Sequence, residues 1–167
     1  MSQTKTNPRT TDSRALSATR VYAAPRSLLF ELWTDPLHFA QWWGPHGFTT
    51  PLCEMDARPG GAMLVHMSAP DGTVHKMTGS YREVSPPERL VFVSAVPDEN
   101  GIPIFEVLNT VTFAERAGMT SMHLSVRVIH RTPAADPYLA GMDDGWKQTL
   151  ERFESYIGEV VQRQARS

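Results

Sequence analysis

Six histidines, one cysteine and a few polar residues set in apolar strands are the side chains of this sequence best suited to chemistry. The histidines are His38, His46, His66, His75, His123 and His130. Two histidines at helical spacing would converge on a metal ion, and an HExxH pattern would add a general base. No pair here has that spacing, so no metal site is expected. By strand parity His66 and His123 should point away from the apolar face. Cys53 stands alone and reads as a buried, unreactive thiol. A GxSxG nucleophile turn, a phosphate-cradling loop and a dinucleotide fingerprint are all absent, and no cofactor is expected.

Asn109 and Tyr81 stand out for a different reason. Each falls on the inward face of a strand among apolar neighbours, where a polar group must find a partner. That partner is either the protein itself or the polar group of a ligand. Glu106, by parity, faces the other side. No histidine–carboxylate pair is placed inward, which favours binding over acid–base catalysis. Met63, Met67, Met77, Met122 and Met142 all fall on faces that can point inward. Their flexible thioethers serve equally as core filler or as an adaptable cavity wall.

The elements that must position these residues are punctuated by turn signals. A first strand is expected over 16–23. Pro25 then reads as the first position of a helix whose core face carries Leu28, Leu29, Leu32 and Trp33. Asp35-Pro36 stops it, and a second short helix covers 37–43. The segment Trp42-Trp43-Gly44-Pro45 reads as a packed aromatic corner in preference to a pocket mouth. Residues 56–61 read as a strand end followed by a Pro-Gly-Gly turn. Six strands follow the helices, over 49–57, 62–68, 74–84, 89–96, 104–115 and 119–130. Their hairpin-length turns argue for an antiparallel meander. Alternation along them leaves one face of the sheet apolar and in need of a cover. The cover is a helix that Asp136-Pro137 would cap. Met142, Trp146, Thr149, Leu150, Phe153, Ile157 and Val160 form its apolar stripe, and Lys147, Glu151, Arg152, Glu154 and Glu159 its solvent face. The fold class is therefore α+β. A curved sheet of about seven strands holds a long C-terminal helix, with two short helices beside it.

Composition sets outer limits. With 167 residues, 41% hydrophobic and 20% charged, the chain suits one domain with a core of its own. Domain 16–164 is expected to follow a disordered polar tail over 1–15, which has too little apolar surface to fold. A net charge of −2 gives no reason to expect nucleic acid as a partner. No apolar run is long enough for integral membrane association, and the N-terminus shows no signal-peptide pattern. With a single cysteine, a cytoplasmic location is expected.

Several short motifs occur in order: Arg20-Val21-Tyr22-Ala23-Ala24-Pro25, Trp42-Trp43-Gly44-Pro45, Asp56-Ala57-Arg58-Pro59-Gly60-Gly61, Pro70-Asp71-Gly72, Gly79-Ser80-Tyr81, Pro87-Glu88-Arg89-Leu90-Val91-Phe92, and Gly145-Trp146 with Leu150. Together they resemble the activator of Hsp90 ATPase homologue family over about residues 16–162. That family lies within the SRPBCC superfamily of START-like and Bet v 1-like proteins. The resemblance implies a helix-grip fold and a hydrophobic small molecule or lipid-like ligand. Its expected lining is Met63, Val65, Met77, Tyr81, Phe92, Phe105, Val107, Asn109, Leu124, Trp146, Leu150 and Phe153. Two alternatives stand beside binding. One is a cyclase or isomerase acting on an aromatic or polyketide-like substrate. The other is an Hsp90-type co-chaperone or stress-response role, although the chain has no room for that co-chaperone's additional N-terminal domain. A homodimer is left open.

Overall fold

The computed structural model describes residues 14–166; the tail expected over 1–15 falls almost wholly outside them. Strand β1 (Ala15–Tyr22) begins at the last residue assigned to that tail. Two short helices follow, α1 (Arg26–Thr34) and α2 (Pro36–Trp42). Pro25 is the extended residue that caps α1, one position before the helix proper. Asp35 closes α1 and also caps α2, its carboxylate accepting from the Leu37 N–H at 2.9 Å.

The meander runs through β2 (Thr49–Met55), β3 (Ala62–Ser68), β4 (Val74–Ser85), β5 (Arg89–Pro97), β6 (Pro103–Arg116) and β7 (Met119–Arg131). Every neighbouring pair is antiparallel, and the sheet order is β1-β7-β6-β5-β4-β3-β2. The first strand thus closes beside the last. Side chains gate the turns. Between β5 and β6 the Asp98 carboxylate accepts from the N–H groups of Asn100 and Ile102. Between β6 and β7, Ala117 (φ 53°) and Gly118 (φ 79°) form a two-residue turn of the kind that matches strand twist.

After β7 a 3₁₀ turn (Pro133–Ala135) leads into α3 (Asp136–Ala140) and then α4 (Met142–Arg166). The cover is therefore not one helix starting at Asp136. The chain breaks at Gly141, and Asp136-Pro137 opens a separate short helix. The break matters, because it turns Tyr138 and Leu139 toward the sheet. Asp143 and Asp144 occupy the first turn of α4, where negative charge suits the helix dipole.

The core sits between the inner face of the sheet and α4, and α1 and α2 close one end of it. Trp33, Phe39 and Trp42 are fully buried there. Trp33 packs edge-on against Trp42 at 4.7 Å between ring centres, and Trp42 meets Phe153 of α4 at 4.5 Å. The Trp42 indole N–H donates to the Leu32 carbonyl at 3.0 Å, so its polar edge is satisfied.

Candidate functional site

At the other end of the core the space is not filled. A cavity of about 200 Å³ lies between the sheet and the α3–α4 junction. Met67 and Met77 line it from β3 and β4, Ser94 and Val96 from β5, and Phe105, Val107 and Asn109 from β6. The helical side supplies Tyr138, Leu139, Met142, Gly145, Trp146 and Thr149, and the loop after α2 supplies Trp43, Gly44 and Pro45. No Asp, Glu, His, Lys or Arg side chain is among these lining residues.

The strand pattern explains why these residues meet. Asn109 pairs with Phe92 across β5–β6, Val107 with Ser94, and Phe105 with Val96. Residues two apart on β6 share the inner face, so Phe105, Val107 and Asn109 form one wall. Asn109 is buried, with only 1% of its surface exposed. Its amide Nδ2 donates to Ser94 Oγ at 3.0 Å, to the Phe92 carbonyl at 3.3 Å and, more weakly, to the Val107 carbonyl at 3.4 Å. The Thr149 hydroxyl is occupied too, donating back to the Gly145 carbonyl at 2.8 Å.

The loop wall is held by a cation. Arg152 reaches from α4 and its Nη1 lies 2.9 Å from the Trp43 and Gly44 carbonyls and 3.2 Å from that of Pro45. Its Nη2 donates to the Gln41 carbonyl at 3.2 Å. These carbonyls sit at the end of α2, where backbone acceptors lack helical partners and the dipole favours positive charge. Burial lowers the Arg152 pKa, but a guanidinium stays charged at neutral pH. Gln148 accepts from the His46 N–H at 3.1 Å, and Glu151 meets His46 Nε2 at 2.9 Å. The face of α4 expected to be solvated thus fastens the loop. Gly44, with φ of +98°, supplies the backbone turn that brings these carbonyls together.

The aromatic segment divides between the two readings it allowed. Trp42 is a packed corner, while Trp43, Gly44 and Pro45 border the cavity. Of the expected lining residues, Met77, Phe105, Val107, Asn109 and Trp146 also border it. Met63, Val65, Tyr81, Phe92 and Phe153 are buried in the core away from it instead, with Trp33 packed against Phe92 and Trp42 against Phe153. Leu124 and Leu150 face a separate hollow beside β1. The Tyr81 hydroxyl is sealed with no hydrogen-bond partner among the described residues, and burial raises its pKa.

Sequence reasoning missed the α3–α4 contribution of Tyr138, Leu139 and Gly145. Gly141 was the signal that could have split the two helices. It also missed a cluster outside the cavity. Ligand atoms of Glu31, Asp35 and His38 lie within 4.8 Å of one another, and His38 Nδ1 sits 2.7 Å from the Tyr156 hydroxyl. The three residues come from the end of α1 and the start of α2 at spacings of four and three. His46 pairs with Glu151 and His123 with Thr19 Oγ1 at 2.8 Å, both at the surface.

A sequence model described as activator of Hsp90 ATPase homolog 1-like protein matches residues 23–158. The chain belongs to this family. Solved structures agree on the fold. A Chromobacterium violaceum protein is 29% identical, with a TM-score of 0.69 over 84% of this chain and 94% of its own. An Arthrobacter aurescens protein is 23% identical, with a TM-score of 0.76 over 87% of this chain and 86% of its own. A Silicibacter pomeroyi protein carrying the family's name is 22% identical, with a TM-score of 0.73 over 87% and 98%. No functionally curated protein matches. The family match and these solved structures agree with the helix-grip fold described above. No helix among the described residues is long and apolar enough to cross a membrane.

Proposed function

We propose that this protein binds a small hydrophobic molecule in the cavity between the sheet and α4. The observation that carries the reading is a cavity of about 200 Å³ walled by Trp43, Met67, Met77, Phe105, Met142 and Trp146, with no ionisable Asp, Glu, His, Lys or Arg side chain in its lining. Pockets lined mainly by apolar and aromatic side chains with a few polar groups take up apolar molecules. Three methionines in the wall let it adjust to more than one shape. An acid–base enzyme would need a titratable group against the substrate; the wall supplies only the Tyr138 phenol, which favours binding over that role. The lone, partly buried Cys53 supports a reducing, cytoplasmic setting.

Titration with toluene, a neutral apolar probe, tests the reading. Trp43 and Trp146 border the cavity with ring centres 5.3 Å apart, so their fluorescence reports occupancy. The expected result is a saturable change together with a rise in melting temperature. At a hundredfold excess over Kd the stabilisation is about 2.7 kcal/mol. Absence of saturable binding by toluene and by other neutral one-ring compounds would remove the reading.

A further inference from the structure

We propose, building on the apolar-cavity reading, that the ligand is a neutral one-ring molecule carrying a single hydroxyl group, held between Asn109 Oδ1 and Ser94 Oγ. The orientation of the Asn109 amide is decided by its neighbours. Its Nδ2 faces the backbone carbonyls of Phe92 and Val107, and only an NH₂ group can donate to them. Oδ1 is therefore the free end. Among the described residues no donor reaches it. Nor is it sealed in protein as the Tyr81 hydroxyl is. Asn109 lines the cavity, and the open side of Oδ1 is that cavity.

Ser94 supplies the complement. Its Oγ accepts from Asn109 Nδ2 at 3.0 Å and keeps its own hydrogen for another acceptor. The hydrogen of the Thr149 hydroxyl, on α4, is already given to the Gly145 carbonyl. The strand wall thus offers an acceptor on Asn109 and a donor on Ser94, two residues already joined by the Nδ2–Oγ contact. A hydroxyl both donates and accepts, and it is the smallest group that satisfies both. A carboxylate would set its charge against the Asn109 carbonyl oxygen, with no cation in the lining to balance it. An ammonium would find no counter-charge.

Size and wall chemistry narrow the rest. An apolar cavity of about 150 Å³ holds benzene, whereas drug-sized ligands occupy about 300–1,000 Å³. At about 200 Å³ this cavity suits one ring with a short substituent. The indoles of Trp43 and Trp146 and the thioethers of Met67 and Met77 make favourable contacts with an aromatic ring. The class is a simple phenol.

Calorimetric titration of the full chain with p-cresol, toluene and p-toluate separates the possibilities. These probes share one ring and differ in the hydroxyl or charge. The expected order is p-cresol tightest, toluene about tenfold weaker, and p-toluate weakest. In Asn109→Leu the ratio of p-cresol to toluene affinity should fall to near one. Ser94→Ala should lower it part of the way, and serves if the leucine variant folds poorly. Equal binding of toluene and p-cresol by the unaltered protein would overturn the hydroxyl assignment while leaving the apolar cavity intact. An unchanged ratio in both variants would also overturn it. Failure of all three probes to bind would overturn both readings.

Discussion

At the residue scale, Arg152 connects the helix to the cavity wall. Its guanidinium forks across carbonyls of Gln41, Trp43, Gly44 and Pro45, which no other described side chain serves. Removing a charged donor from half-buried acceptors costs about 2 kcal/mol. Arg152→Met should therefore lower stability by about that amount in urea unfolding, and weaken toluene binding by freeing the Trp43-Gly44-Pro45 loop. Arg152→Lys should restore only part of both, because an ammonium lacks the planar fork. Cys53 offers a second test. Burial, and secondarily the charge of Asp35, pushes its thiol from 9.0 up to about 11. A raised folded-state pKa means the stability it contributes is complete below pH 9 and is lost as pH rises through about 11. Unfolding midpoints measured from pH 8 upward should fall, and fall less steeply over that window in Cys53→Ala. Equal slopes would contradict it. Cys53, expected to be a buried thiol, is only partly buried. The role of Arg152 was not legible in the sequence, because its helical position places it on the polar stripe, and only the path of the loop brings carbonyls to it.

At the element scale, alternation and turn residues made the strands legible. The expected 62–68 strand matches Ala62–Ser68, and the others differ by a residue or two at their ends. The break between α3 and α4 is marked in the sequence only by Gly141, and the apolar stripe that Met142 and its successors carry draws the eye past it. One turn keeps a local conflict. Ala117 has φ of 53°, a conformation that costs an L-residue with a Cβ about 1–2 kcal/mol, and in which asparagine is better tolerated. Ala117→Asn should raise stability by about 0.5–1 kcal/mol, seen as a melting temperature higher by about 1–4 °C. A lower melting temperature would mean that the turn is shaped by contacts other than its own backbone preference.

At the scale of the whole molecule, the fold has one filled end and one open end. Strand parity tells which side a residue faces but not how far along the core it lies. Met63, Val65, Phe92 and Val107 all point inward, yet only Val107 borders the cavity. What separates them is the pair of short helices, whose Trp33 and Trp42 fill the space against Phe92 and Phe153. That packing depends on the path of 26–42 across the end of the sheet, which no local pattern encodes. Asn109 was legible as an inward polar residue, and its partners Ser94, Phe92 and Val107 follow from the β5–β6 register. The most direct test of the central claim fills the open end. Val107→Phe adds a ring where the cavity now lies, on a buried strand position. Toluene titration should show saturable binding to the unaltered protein and binding at least about tenfold weaker to Val107→Phe, with the variant still folding cooperatively. No binding to the unaltered protein, or equal binding to a folded Val107→Phe, would contradict the account.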